Sequence, residues 1–145
     1  IIFNLLDQRM AERIFLEAEK KDIAVIVREA LASGLLSGKY APAHEFPKDD
    51  HRRRWVPEKR EADWQKIRLI QKMFGSEALP LAKAALEFTL AFGAVSTVIA
   101  GAKTKKQVLE NVAASLQPAL SQEDVVRLKE LYAREEIFRE GLIPR

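Results

Sequence analysis

The chain has 145 residues, of which 48% are hydrophobic and 31% are charged, and its net charge is +3. This length and composition are those of one globular domain, and the charge is too small to indicate nucleic-acid binding by itself. The sequence contains no cysteine, which excludes disulfides and thiolate chemistry. No apolar run reaches the roughly 20 residues of a membrane span. We therefore expect a cytoplasmic protein with no membrane partner and no secretion signal.

The first part of the chain predicts a strand, a helix and a second strand. Residues 1–6 form an apolar run that indicates a buried strand. Met10, Ile14 and Ala18 then recur at helical spacing, and charged residues occupy the rest of this amphipathic helix. Residues 23–27 are all apolar and mostly β-branched, and a run that is apolar on both faces is typical of parallel strands covered by helices.

Residues 29–60 predict a long loop with room for one short helical turn. Glycine, proline and clustered charges break the periodicity, at Gly34, Gly38, Pro42, Pro47 and Pro57 among others. A loop of this length inside a compact domain is usually functional or mobile.

The remainder predicts two helices, a third strand and two further helices. Apolar spacing indicates helices over residues 61–75 and 80–93, and residues 95–101 read as a strand. The next helix begins at Thr104 in a T-x-x-Q capping box with Gln107 and runs to about residue 114. The last helix begins in an S-x-x-D box and carries an apolar stripe; the box is Ser121 and Asp124, and the stripe is Val125, Leu128, Leu131 and Tyr132.

This order of elements indicates an α/β fold. Strands that alternate with helices predict a parallel sheet built from βαβ units. Three strands are too few to close a sheet, and an eight-stranded α/β barrel takes about 250 residues. We therefore expect the C-terminal part of a barrel, and because the chain begins inside an apolar run, we expect it to be a fragment.

Several motifs together resemble the aldo-keto reductases. The resemblance is to the subgroup that includes bacterial reductases and the β subunits of voltage-gated potassium channels, and it covers nearly the whole chain. The order and spacing of the motifs carry it: FNLLD at residues 3–7, LASGLLSGKY at 31–40, DDHRRRW at 49–55, VIAGAKTKKQVLEN at 98–111, and LSQEDVVRLKEL near the end.

The resemblance implies a fold, a cofactor and a substrate class. The fold would be the C-terminal portion of a single (β/α)8 barrel domain, with strands six to eight at residues 1–5, 23–27 and 97–99. The cofactor would be NADP(H), and the substrate a small-molecule carbonyl compound. The family's catalytic Asp, Tyr, Lys and His lie in the N-terminal half, so we assign no catalytic residue and expect this chain alone to be inactive.

The first candidate site is the start of the helix at Thr104. Lys103, Lys105 and Lys106 stand at the positive end of the helix dipole, which is unfavourable unless an anion binds there. The plain alternative is a solvated lysine cluster. By resemblance, Gly101 and Lys103 face the adenosine 2′-phosphate, and we count Thr104 with them, while Lys105 and Lys106 only steer the ligand.

One face of the same helix is expected to hold the rest of the adenosine. Gln107, Glu110 and Asn111 share that face at i, i+3 and i+4. By resemblance they bind around the adenine and ribose. The alternative is a capping glutamine followed by two surface polar residues.

The second candidate site is the loop over residues 28–39. By resemblance, Leu31, Ala32 and Ser33 lie along the cofactor pyrophosphate, and Lys39 pairs with it. Arg28 stands where the family often has an aromatic residue on the nicotinamide, and a guanidinium can also stack on a planar ring. The usual Ser-Pro that follows is Glu29-Ala30 here. The alternatives are glycines that only turn the chain and an Arg28–Glu29 surface pair.

The third candidate is a closing segment over the dinucleotide. One of Arg52, Arg53 and Arg54 is expected on a phosphate; the alternative is a solvated loop. His44 and His51 lack partners at metal-ligand spacing, so we expect no metal. Trp55 and Trp64 are expected to be packing residues.

Two rival functions share these residues. One is a non-catalytic NADP-binding regulatory subunit, similar to the channel β subunits. The other is a barrel of different chemistry that merely binds a phosphate. Gln107, Glu110 and Asn111 argue against it, because a bare phosphate site would not need residues that face an adenine. In either case the exposed barrel edges predict pairing with a missing N-terminal half or self-association.

Overall fold

A computed structural model describes residues 1–74, 80–116 and 120–139. Its longer elements are helix α1 (Leu16–Lys20), strand β1 (Val25–Arg28), helices α2 (Pro57–Met73) and α3 (Leu81–Leu90), strand β2 (Val95–Ile99), and helices α4 (Lys105–Leu116) and α5 (Gln122–Arg134). A π-helical turn (Ala11–Phe15) leads into α1, and short 3-10 helices cover Ala32–Ser37, His51–Arg54 and Glu136–Phe138. The arrangement is an α/β fold.

β1 and β2 pair in parallel and form the sheet. Val27 lies opposite Val98 and Arg28 opposite Ile99, with an irregularity in register next to Val25. The carboxyl ends of both strands therefore lie at the same edge. The loops that follow β1 and β2 leave the sheet side by side.

The expected strand over residues 1–6 is much shorter than predicted. Ile2 bridges Arg28 in parallel, and the Arg28 N–H donates to the Ile1 carbonyl at 2.8 Å. The chain then turns, because the Asn4 side-chain oxygen accepts from the N–H groups of Leu6 (2.9 Å) and Asp7 (3.1 Å). A side chain that offers its own acceptor in this way competes with the strand ladder.

Only one face of the sheet is covered by the described residues. Val25 and Val27 are buried, but Ile26 is 53% exposed. β2 is similar, since Val95 is buried and Ile99 is 64% exposed. The described helices pack on one side of the sheet and leave an apolar surface on the other.

The core is centred on four phenylalanines. Phe3 contacts Phe15 edge-on at 4.9 Å between ring centroids, stacks on Phe88 at 5.8 Å, and meets Phe92 edge-on at 4.9 Å. Edge-to-face and offset pairs are the favourable arrangements of aromatic rings. This cluster fixes the chain start, the π-helical turn and α3 against one another.

The helices follow their predicted periodicity, with shifted ends. α2 begins at Pro57, four residues before the predicted start, because proline suits the first helical position. The predicted stop at Gly75 lies outside the described residues. α5 has the predicted capping box between Ser121 and Asp124, and its predicted apolar stripe of Val125, Leu128, Leu131 and Tyr132 is buried.

The stretch over residues 29–60 contains two 3-10 helices rather than one turn, and α2 takes up its last four residues. Within the described ranges, none of the helices combines the length and the apolar character that crossing a membrane would require.

Candidate functional site

The loop after β1 has an uncommon backbone conformation. Glu29, Ala32 and Ser33 have φ of 61°, 48° and 52°, and Gly34 follows with φ 92°. Non-glycine residues in this left-handed region are uncommon, and such residues cluster at functional sites. At Gly34 an added side chain would also meet Arg52 Nη1 at 3.2 Å, so this glycine does more than turn the chain.

Glu29 ties this loop to itself. Its Oε2 accepts from the Ser33 N–H at 2.8 Å and from the Ser33 hydroxyl at 2.7 Å. Its carbonyl accepts from the Ala32 N–H (2.8 Å) and from the Asn4 side-chain amide (2.9 Å). The Glu29 carboxylate thus faces Ser33, whereas the Arg28–Glu29 surface pair left open by the sequence is not among the contacts of the described chain.

Arg52 supports the loop from the segment that was expected to close over the dinucleotide. Its Nη1 donates to the Ser33 carbonyl at 3.0 Å, and its Nε and Nη2 grip Asp50 at 2.9 and 2.5 Å. The guanidinium carbon lies 4.2 Å from the Phe46 ring centroid and 4.7 Å from that of Tyr40. Arg52 is buried, and its Nε, Nη1 and Nη2 each donate to a protein oxygen.

The contact between Arg52 and Asp50 shifts the pKa of both side chains. The side-chain hydrogen bond from Arg52 lowers the pKa of Asp50, and the same bond raises the pKa of Arg52.

Arg53 and Arg54 are exposed, and Arg53 makes one long hydrogen bond to the Phe46 carbonyl (3.4 Å). Of the three arginines proposed for a phosphate, Arg53 and Arg54 are the ones whose side chains reach solvent.

The segment between β2 and α4 is organised by Gln107. Its Oε1 accepts from the Lys103 N–H at 2.7 Å, and its own N–H donates to Thr104 Oγ1 at 3.2 Å. The capping box is therefore shifted: the glutamine reaches the N–H of Lys103 and not that of Thr104. Asn111 adds a long contact from its side-chain amide to the Gly101 carbonyl (3.5 Å).

The helix start itself is open to solvent. Gly101, Lys103 and Thr104 are exposed, as are Lys105 and Lys106. Glu110 is also exposed, and its carboxylate lies 3.8 Å from the Lys106 ammonium. Within the described residues no ion pair involves Lys103 or Lys105, so their charges are available to an anion.

The structure brings the two predicted loops to one place. Arg28 and Ile99 are paired at the ends of neighbouring parallel strands, so residues 29–39 and 100–104 leave the same edge of the sheet. Ligands of α/β sheets bind beyond the carboxyl ends of such strands. In the first loop Arg28 and Lys39 are exposed and Leu31, Ala32 and Ser33 are half-buried; in the second, Gln107 and Asn111 are half-buried.

His44 and the two tryptophans have packing surroundings, whereas His51 is exposed. The His44 ring lies 4.8 Å from that of Tyr40 and 4.9 Å from that of Phe46. Trp64 is buried in the core, and Trp55 packs 6.1 Å from Phe46, which confirms their assignment as packing residues. Over the described part of the chain, no three carboxylate or histidine side chains gather as metal ligands would.

Sequence reasoning missed the residues that shape the first loop. Asn4, Glu29 and Arg52 hold it, yet Arg52 was expected only as a candidate for a phosphate and Glu29 was noted only as a departure from the usual Ser-Pro. The contact between Arg52 and Ser33 joins residues that are 19 apart in the sequence, and no local sequence pattern predicts it.

Comparison with known proteins identifies relatives of the chain. The Aldo/keto reductase family matches residues 1–133. The glycerol dehydrogenase AKR11B4 from Gluconobacter oxydans is 27% identical, with a TM-score of 0.68, and the match covers 92% of this chain and 41% of that chain. The aldo-keto reductase AKR11C1 from Bacillus halodurans is 27% identical in its apo and holo forms, with a TM-score of 0.62; the match covers 90% of this chain and 42% and 41% of those.

The chain thus spans about two fifths of the length of these solved structures. Among curated protein sequences, none matches it. Because the family match extends over most of the chain, the assignment does not rest on one motif. The chain belongs to the aldo/keto reductase family.

Proposed function

We propose that this chain is the C-terminal, NADP(H)-binding portion of a single (β/α)8 barrel domain in a cytoplasmic, NADPH-dependent reductase of small aldehydes and ketones. One observation carries the proposal. The parallel pairing of β1 with β2 puts the two candidate cofactor loops at one edge of the sheet. A dinucleotide is long enough to contact both loops at once, with its adenosine at one and its pyrophosphate at the other.

The start of α4 suits the 2′-phosphate of NADP(H). The exposed N-terminus of a helix offers unpaired N–H groups and partial positive charge to an anion. Lys103 is exposed beside it, and Thr104 caps the helix. Gln107, Glu110 and Asn111 follow on one face, where they would bind the adenine and ribose.

The loop after β1 suits the pyrophosphate and the nicotinamide end. Ala32 and Ser33 are small and allow close approach of a phosphate to the backbone, beside Leu31. Lys39 is exposed and would pair with the phosphate charge. Arg28, at the end of β1, would stack its planar guanidinium on the nicotinamide.

The described residues are suited to binding the dinucleotide and not to the chemical step of the reaction. When bound, the cofactor would supply a hydride for a carbonyl carbon. This chain's part is to hold and orient the dinucleotide, and we assign it no catalytic residue. We expect the chain alone to be inactive.

The experiment is a fluorescence titration of the full-length protein with NADPH and with NADH. We expect tighter binding of NADPH, and Lys103→Ala should weaken NADPH binding about five- to tenfold, because it removes one exposed phosphate contact. NADH binding should stay unchanged, since NADH lacks the 2′-phosphate.

Lys105→Ala is the matched control, because it removes the same charge two residues further along the chain. It should change either affinity by less than about twofold, as a steering charge screened by salt would. Equal affinities for NADPH and NADH in the wild type, or an equal loss of both in Lys103→Ala, would count against the site.

A further inference from the structure

The loop expected to bind the cofactor pyrophosphate already binds an anion from its own chain. The Ser33 N–H and hydroxyl both donate to one carboxylate oxygen of Glu29, at 2.8 and 2.7 Å. A backbone N–H and a hydroxyl that converge on one oxygen can equally donate to an oxygen of a phosphate. Here the Glu29 carboxylate takes the position that such an oxygen would need.

Both partners of this contact are held in place by other groups. The Glu29 backbone carbonyl accepts from Asn4 Nδ2 at 2.9 Å, and the Ser33 carbonyl accepts from Arg52 Nη1 at 3.0 Å. Rotation of the Glu29 side chain alone would therefore free the Ser33 donors. The contacts of Asn4 with the Glu29 carbonyl and of Arg52 with the Ser33 carbonyl do not involve the Glu29 side chain.

We propose that Glu29 is an internal competitor of the cofactor: its carboxylate occupies Ser33 in the free protein and must leave before the dinucleotide pyrophosphate can bind. The inference rests on the proposed function. The donors of Ser33 cannot serve two anions, and a carboxylate beside a pyrophosphate adds like-charge repulsion. Glu29 thus lowers the affinity of the protein for its cofactor.

A purely structural role for Glu29 predicts the opposite sign. If the carboxylate only braces the loop, its removal loosens the loop and weakens cofactor binding. If it competes, its removal frees the Ser33 donors and strengthens binding. The direction of the change in affinity therefore separates the two roles.

The test is fluorescence titration of the full-length protein and its Glu29→Gln and Glu29→Ser variants with NADPH and with NADH. Glutamine keeps the size and removes the charge, while serine is too short to compete in the same way. We expect both variants to bind both dinucleotides about tenfold more tightly, since two charge-assisted hydrogen bonds no longer have to be broken. The gain should be equal for NADPH and NADH, because both carry the pyrophosphate.

Glu45→Gln is the control, since it makes the same change at an exposed glutamate of the same stretch. Its affinities should match those of the wild type, and thermal melting should show each variant folded. Unchanged or weaker binding in both folded Glu29 variants, with a wild type that binds NADPH, would overturn the inference and leave the proposed function standing. Failure of every protein to bind either dinucleotide would overturn both.

Discussion

Asp50 and Arg52 show how one pair of side chains ties the segment of residues 49–55 to the loop after β1. Asp50 caps the 3-10 helix His51–Arg54 through the Arg52 N–H (2.9 Å) and also grips the Arg52 guanidinium. That guanidinium in turn reaches the Ser33 carbonyl. The charge of Asp50 therefore supports the position of Ser33, although Asp50 lies far from it in sequence.

The pair predicts a pH dependence of stability. Because hydrogen bonds from Arg52 lower the pKa of Asp50, the unfolded chain takes up a proton at Asp50 first as the pH falls. The stabilisation is complete above the ordinary aspartate pKa of about 3.9 and is lost as the pH falls below it. The slope of the unfolding free energy against pH reports how many protons the chain takes up on unfolding. In this range we expect that number to be lower in Asp50→Asn than in the wild type, by up to about one proton.

Urea unfolding of the full-length protein between about pH 2.5 and 6 measures this slope. Asp49→Asn is the matched control, because Asp49 is the exposed neighbour with the same charge. It should leave the slope as in the wild type. A slope that is identical in wild type and Asp50→Asn would contradict this role of the pair.

At the scale of elements, α5 was predictable almost completely, because its signals are local. The S-x-x-D box fixes its start, and the apolar stripe at helical spacing fixes the buried face. The first loop was not predictable in the same way. Glu29, Ala32 and Ser33 have positive φ, and the contacts of Asn4 with Glu29 and of Arg52 with Ser33 that support the loop are not local.

Of the predicted strands over residues 1–6 and 95–101, only the second forms a strand ladder, and the difference again depends on contacts that are not local. Residues 95–101 contain the observed β2, which finds a partner in β1. Residues 1–6 have the same apolar character, yet Asn4 turns the chain after a single bridge. An apolar run predicts burial, and burial was found at Phe3 and Leu5; it does not by itself predict a strand ladder.

The capping box of α5 gives a prediction at this scale. Ser121 Oγ accepts from the Asp124 N–H at 3.1 Å, and the Asp124 carboxylate accepts from the Ser121 N–H at 3.1 Å. Ser121→Ala should lower the free energy of unfolding by about 1 kcal/mol. Urea denaturation measures the change, with Gln122→Ala at the adjacent exposed position as the control. If Gln122→Ala lowers the free energy of unfolding as much as Ser121→Ala does, the capping box is not the cause of the decrease.

At the scale of the whole molecule, the sheet leaves an uncovered apolar face. Ile26 and Ile99 are more than half exposed on it, and Val108, Leu109 and Val112 of α4 are also exposed. Open sheet edges and apolar faces favour association with another chain. In the proposed barrel, an N-terminal half would cover this face.

We therefore expect the 145-residue chain produced alone to self-associate. Sedimentation velocity should show dimers or larger species, and Ile26→Lys with Ile99→Lys should shift the distribution toward monomer, because charges on the face oppose its burial. Val126→Lys, on α5 and half exposed, is the control and should leave the distribution unchanged. A compact, stable monomer of the unmodified chain would contradict the expectation.

A crystal structure of the full-length protein with NADP⁺ tests the proposed cofactor site most directly. We predict that the 2′-phosphate lies at the start of α4 within hydrogen-bonding distance of Lys103, with the pyrophosphate along Leu31, Ala32 and Ser33. A dinucleotide bound away from these two loops, or bound with its 2′-phosphate in solvent, would contradict the account.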